Sequence, residues 1–201
     1  MDNANERYSD KEIEELLQML ADERNAIEIL KSEISNAIYP SATREMRRTL
    51  AEHRETLRSL VWILKRRGGY EPTEAERRGE AIEAKLENIR EARYEYGGFL
   101  GGFTYVTLIF GEGEAVKKQV FSHRDGEREE PAFASKESLI SELKGLYLGE
   151  WRASYVNHAI LDGFQWSLRL TFADGGEEVF EGSNAYPYNF YDLKRIFGIN
   201  G

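Results

Sequence analysis

GGFLGGFTYVTLIF, running from Gly97 to Phe110, separates two kinds of sequence. Its first six residues hold four glycines, which free the backbone from Cβ restraint and read as a hinge at 97–102. Its last eight are aromatic, β-branched and apolar residues at period two, the signature of a strand. Upstream the chain carries helical spacing and only two prolines, Pro40 and Pro72, both between helical patterns. Downstream it is rich in glycine, aromatic residues and alternation. The expected domains are therefore a helical coiled-coil region at 1–96, the hinge, and a sheet domain at 103–201.

In the helical region, Ser9 and Glu12 read as a capping box opening a first helix. Ile13, Leu20, Ile27 and Ile34 repeat every seven residues, with Leu16 or Leu17, Leu30 and Ala37 in the alternate seam position. Glu23 or Arg24 interrupts that seam once. A second helix places Thr43, Met46, Leu50, His53, Leu57, Leu60 and Leu64 on one stripe and stops at Arg66-Arg67-Gly68-Gly69. A third starts at the capping box Thr73/Glu76 and continues through Ala75, Ile82, Leu86, Ile89 and Tyr96. Short connections make these antiparallel neighbours, a helical hairpin or three-helix bundle, with a dimerising coiled-coil arm as the competing arrangement.

The second half reads strand, strand, helix, twice over. Phe103–Phe110 and Ala115–Ser122 flank the turn GEGE, and Ser135 caps a helix carrying Leu139, Leu143 and Leu146. Phe164–Phe172 turns through ADGG into EEVFEGS, and YNFYDLKRIFG is a last short helix ending at Gly198. The fold class is α+β, with a ββαββα domain built on a four-stranded antiparallel sheet. The polar stretch HRDGEREEP, with Glu127-Arg128-Glu129-Glu130, reads as a solvated loop.

Composition excludes several functions. The 201 residues carry 27 Lys and Arg against 36 Asp and Glu, a net charge of −9, and no cysteine. Disulfide scaffolds, cysteine-bearing zinc sites and thiol nucleophiles are thereby removed. No apolar run reaches the ~18 residues of a membrane span, and no secretory leader opens the chain, so the expected location is cytoplasmic. An acidic total disfavours sequence-independent coating of DNA. By segment, residues 1–40 carry −6, 41–70 carry +5, 71–96 carry −3 and 97–201 carry −5. The basic helix holds Arg44, Arg47, Arg48, Arg54, Arg58, Lys65, Arg66 and Arg67. As a phosphate-tracking face these would bind nucleic acid. The competing reading, which the acidic flanks favour, is ion pairing within the bundle with Glu14, Glu28, Glu33, Glu80, Glu83 or Glu87.

Catalytic constellations are thin, and no cofactor or metal is implied. His53 falls on an apolar seam, where a hydrogen-bonded core histidine is the expectation, and His123 adjoins a turn. His158 stands four residues before Asp162, a spacing that could orient an imidazole in a hydrolase or small-ligand module. No nucleophile declares itself beside them, so the chain reads as non-enzymatic. The densest unusual segment is GSNAYPYNF, Gly182 to Phe190. Its structural role is to pin a loop beside Trp166. Its functional role would place Asn184, Tyr186, Tyr188 and Asn189, with Tyr155 and Trp151, on a protein-binding surface.

Trp151, Leu161-Asp162-Gly163-Phe164-Gln165-Trp166, Phe172-Ala173-Asp174-Gly175 and GSNAYPYNF occur in an order that resembles a C-terminal module of bacterial proteins associated with mobile elements. The resemblance covers about residues 150–198 and carries no established activity. It implies an anti-defence role of the anti-CRISPR kind. On that expectation the partner is a protein, a host effector that processes nucleic acid; separately, the coiled-coil stripe of the helical region offers a homodimer contact.

Overall fold

The computed structural model describes residues 8–37, 40–98, 101–111, 116–131, 134–160 and 163–199. It divides into two compact units, Met1–Pro72 and Thr73–Gly201. The first is a helical hairpin of α1 (Ile13–Asn36) and α2 (Pro40–Arg67). Leu16, Leu20, Ile27 and Ile34 are the buried positions of α1, so the seam runs through Leu16 and leaves Leu17 exposed. Leu60, Ile63 and Leu64 of α2 close with Leu16, Leu20 and Tyr8 into this unit's core. The Ser9/Glu12 capping box does not form. The helix begins at Ile13 with Glu12 at its N-cap and no side-chain bond there, and the Ser9 hydroxyl donates to Asp10 instead. The stop after α2 is as the sequence suggests: Gly68 takes φ +81° and the Gly69 amide reaches back to the Leu64 carbonyl at 3.0 Å.

In the second unit, the third helix, α3 (Glu74–Leu86), opens on the expected capping box. Glu76 N donates to Thr73 Oγ1 at 3.2 Å, and Thr73 N donates to the Glu76 carboxylate at 2.7 Å. It ends at Leu86, well short of Tyr96, and β1 (Ile89–Gly98) follows. Ala92, Tyr94 and Tyr96 then share one face of a strand while Glu91, Arg93 and Glu95 share the other. The three-helix bundle is therefore replaced by a hairpin of α1 and α2, with α3 joined to the sheet.

The sheet is also larger than four strands. The remaining strands are β2 (Gly102–Phe110), β3 (Val116–Ser122), β4 (Gly126–Pro131), β5 (Ser154–Val156), β6 (Gln165–Phe172) and β7 (Glu177–Ser183). Their order is β4-β3-β2-β1-β6-β7-β5, antiparallel throughout except for the parallel pair β5/β7. The two hairpins foreseen in sequence, β2/β3 and β6/β7, are joined edge to edge by β1, which pairs with both. Three of the four glycines of the supposed hinge lie within the sheet, with Gly101 in the turn: Gly97 pairs with Phe103 and Gly98 with Gly102 across the β1/β2 ladder. GEREEP is strand β4 and not a loop. The GEGE turn falls largely outside the described residues.

Helices α3, α4 (Lys136–Lys144) and α5 (Phe190–Ile196), with a 3₁₀ turn at Leu148–Glu150, share one face of this sheet and one core. Ser135 caps α4 by accepting from Ser138 N at 3.3 Å. Contact between α3 and the 3₁₀ turn is backbone against backbone: a Cβ on Gly149 would lie 2.4 Å from Gly79 N. Among the described residues of this unit, none covers the opposite face of the sheet.

Candidate functional site

GSNAYPYNF acts mainly as a latch. Asn184 adopts φ +52°, its amide donates to the Phe164 carbonyl at 2.9 Å, and its Oδ1 accepts from Phe164 N at 2.8 Å. Trp166 Nε1 donates to the Ala185 carbonyl at 3.0 Å. Asn189 is buried between Trp151 Nε1, which donates to its Oδ1 at 3.1 Å, and the Leu146 carbonyl, which its Nδ2 reaches at 2.7 Å. Trp151 and Tyr155 are likewise buried, and the Tyr155 hydroxyl accepts from Arg152 N. These three side chains are closed to a partner. Asn184 and Tyr188 are half-buried, the Tyr188 hydroxyl donating to Glu150 at 3.2 Å, and Tyr186 is exposed over Phe190 and Phe164.

The arginine stripe is largely committed. Arg54 is buried. Arg67 donates to the carbonyls of Lys11, Tyr8 and Ser9, and Arg66 stacks on Trp62 as Lys65 does on Tyr70. Arg48 and Arg58 pair with Glu52 and Glu55 of their own helix and not with the neighbouring acidic helices. Arg44 is exposed and Arg47 half-buried. His53 meets Glu23 at 2.6 Å, so the polar interruption of one seam pairs with that of the other. His158 is exposed and forms no hydrogen bond among the described residues; Asp162 lies outside them. Among the described residues no group of three His, Cys, Asp or Glu could hold a metal.

The feature the sequence did not announce is the uncovered sheet face. Register places Phe121, Tyr105, Glu95, Ser167, Glu181 and Ser154 on one rung across six strands. The adjacent rung carries Phe103, Gly97, Gln165, Ser183 and Val156. Small residues at 154, 167 and 183 between larger ones sink a hollow of about 360 Å³, walled by Glu95, Glu181, Phe103 and Val156. Beside it Tyr105 packs on Phe121 with ring centroids 5.7 Å apart, and Arg93 lies 4.5 Å over the Tyr105 ring. Burial, then the charge of Glu95 and a hydrogen bond to it, pushes the Tyr105 hydroxyl up. Phe121, Val156 and Val179 are exposed.

Of the cations on this face, Arg93 lies over Tyr105 and Arg169 pairs with Glu177, while Lys117 stands exposed near the start of β3, outside the lining of the hollow. No Lys or Arg among the described residues pairs with Glu95 or Glu181. The face can thus accept a positively charged group against aromatic and aliphatic surface. One signal in the sequence pointed here: Phe103, Tyr105 and Ile109 leave β2 apolar on both faces, unlike a strand with one side in water. Compared with protein-family models, with curated proteins and with solved structures, this chain finds no match.

Proposed function

We propose that this protein is a non-enzymatic binding factor that docks a protein partner with a basic surface on the uncovered sheet face. The observation that carries the reading is the acidic hollow between Glu95 and Glu181 beside the Phe103, Tyr105 and Phe121 rings. Residues 73–201 hold 22 acids against 15 bases, so the surrounding field favours a cationic partner. Seven strands at ~4.8 Å spacing and ~7 residues in length give a face of about 700 Å², close to the ~800 Å² per partner of a standard interface. Aromatic residues on an open sheet also suit stacking with bases, but a net-negative face repels the phosphates that supply most of such affinity. The basic surface of an effector that processes nucleic acid has the complementary chemistry, and its occlusion is the anti-defence role the resemblance implies.

Affinity purification from a lysate of the source organism, run in parallel with the wild type and with Glu95→Lys/Glu181→Lys, tests this. A basic nucleic-acid-binding protein retained by the wild type, released by salt and lost from the double variant is the expected result. Equal retention by both baits sinks the reading. A salt-dependent DNA or RNA shift by the wild type that Arg44→Glu/Arg48→Glu abolishes would install the arginine helix in its place.

A further inference from the structure

On the helix-bearing side of the same sheet, strands β1 to β4 form a floor whose polar and apolar positions are ordered by rung. Tyr96, Thr104, Ser122 and Gly126 occupy one rung; Tyr94, Val106, Val120 and Arg128 the next; Ala92, Leu108, Lys118 and Glu130 the third. Alternate residues of a strand stand ~7 Å apart on one face, so the first and third rungs are ~14 Å apart at the backbone. Above this floor a cavity of about 340 Å³ remains, roofed by Phe197, Gly198 and Ile199, the residues that follow α5. Its volume is that of a small-ligand site.

Both cations of the lining stand at one end. Lys118 is nearly buried, and its Nζ stands 2.9 Å from Glu130. Arg128 reaches the other oxygen of the same carboxylate through Nε at 2.9 Å, and no other described residue bonds it. The two terminal nitrogens of its guanidinium therefore remain as a planar donor pair at the cavity, the geometry that matches a carboxylate. At the other end stand the hydroxyls of Thr104 and Ser122 and the carboxylate of Asp125, which accepts from a donor group on a ligand, with Val106 and Val120 between. The hydrogen bonds of Glu130 to Lys118 and Arg128 hold its own carboxyl below the usual range, which keeps both cations anchored. Tyr94, stacked on Tyr96 and tilted against Phe197 of the lining, is fully buried with its hydroxyl unpaired.

We propose that this cavity binds a small organic carboxylate carrying a hydrogen-bonding group at its far end, its acid on the Arg128 fork, its body over Val106 and Val120, and its tail at Thr104 and Ser122. The site lies on the opposite face from the docking surface and stands or falls independently of it. Isothermal titration and amide chemical shifts of the full chain, with 4-hydroxyphenylacetate as the probe, test the assignment. Saturable binding at millimolar concentration is expected, with shifts at Val106, Val120, Arg128 and Ile199. The neutral 4-hydroxyphenylacetamide should bind at least tenfold more weakly, as should the acid to Arg128→Gln. Because Arg128 is half-exposed, that variant keeps the fold, which its melting temperature verifies. Absence of saturable binding, equal affinity for acid and amide, or undiminished affinity in Arg128→Gln overturns the proposal.

Discussion

Tyr94 shows how much a single position can hold back. It sits at the centre of β1 with 0% exposure, stacked on Tyr96 at 5.3 Å and tilted against Phe197 at 5.4 Å. Its hydroxyl has no hydrogen-bond partner, and burial, with the nearby hydroxyls of Tyr96 and Tyr186, drives its ionisation far above the ordinary phenol range. A buried donor that loses water and gains nothing costs ~1–3 kcal/mol. Tyr94→Phe removes that cost and keeps the ring, so the variant is expected to be more stable by about 1 kcal/mol in denaturant unfolding. A loss of stability on that substitution would mean the hydroxyl has a partner after all. Asn184 illustrates the opposite case. Its left-handed backbone and its two bonds to Phe164 are satisfied locally, and this is why a segment that reads as a binding loop proves to be a latch.

At the level of elements, strand β4 owes its place to side chains. All but one of its residues are exposed, and beside the backbone ladder the Lys118–Glu130 pair ties it to β3, with Arg128 holding the same carboxylate from within β4. Because the folded Glu130 titrates below 4.5, its contribution is complete above that value and disappears as pH falls through the lower folded one. Amide exchange of β4 should accordingly be protected at about pH 6 and lose its protection on acidification below the ordinary Glu range, before β1 and β6 lose theirs. Simultaneous loss in all three strands would contradict this. The same strand explains where sequence reading stopped. Strands β2, β3, β6 and β7 were legible because their apolar residues alternate, and α1 and α2 because theirs fall at helical spacing. In β4 four charged residues stand between Gly126 and Pro131, so no apolar alternation exists to read. β1 failed for another reason: Leu86 and Ile89 fit a helical step, while Ala92, Tyr94 and Tyr96 fit a strand, and the capping box upstream favoured continuing the helix. The acidic hollow was illegible because Glu95, Ser167 and Glu181 become neighbours only through pairing of β1, β6 and β7.

Over the whole molecule, the position of β1 determines where the chain can be cut. β1 is central, bonded to β2 on one side and β6 on the other, and α3 buries Ile82 and Leu86 in the core of that same sheet. A boundary at the glycines would therefore split one hydrophobic core, whereas a boundary at Pro72/Thr73 falls between two. Residues 73–201 alone, starting at the Thr73 cap, are expected to unfold cooperatively and to retain strand and helix signals in circular dichroism. Residues 97–201 alone lose the strand that joins the two hairpins and expose the edges of both β2 and β6, which are free to pair with other chains. That shorter chain should aggregate or lack a cooperative transition. The hairpin unit, which among the described residues buries nine apolar side chains on two helices and a preceding turn, only six of them in one cluster, should lose much of its helicity when isolated, since so little apolar area scarcely offsets the ordering of the chain. Circular dichroism melts and sedimentation of the three fragments decide the matter. A cooperative, monomeric 97–201 fragment would show that β1 is dispensable and that the glycines do mark the boundary.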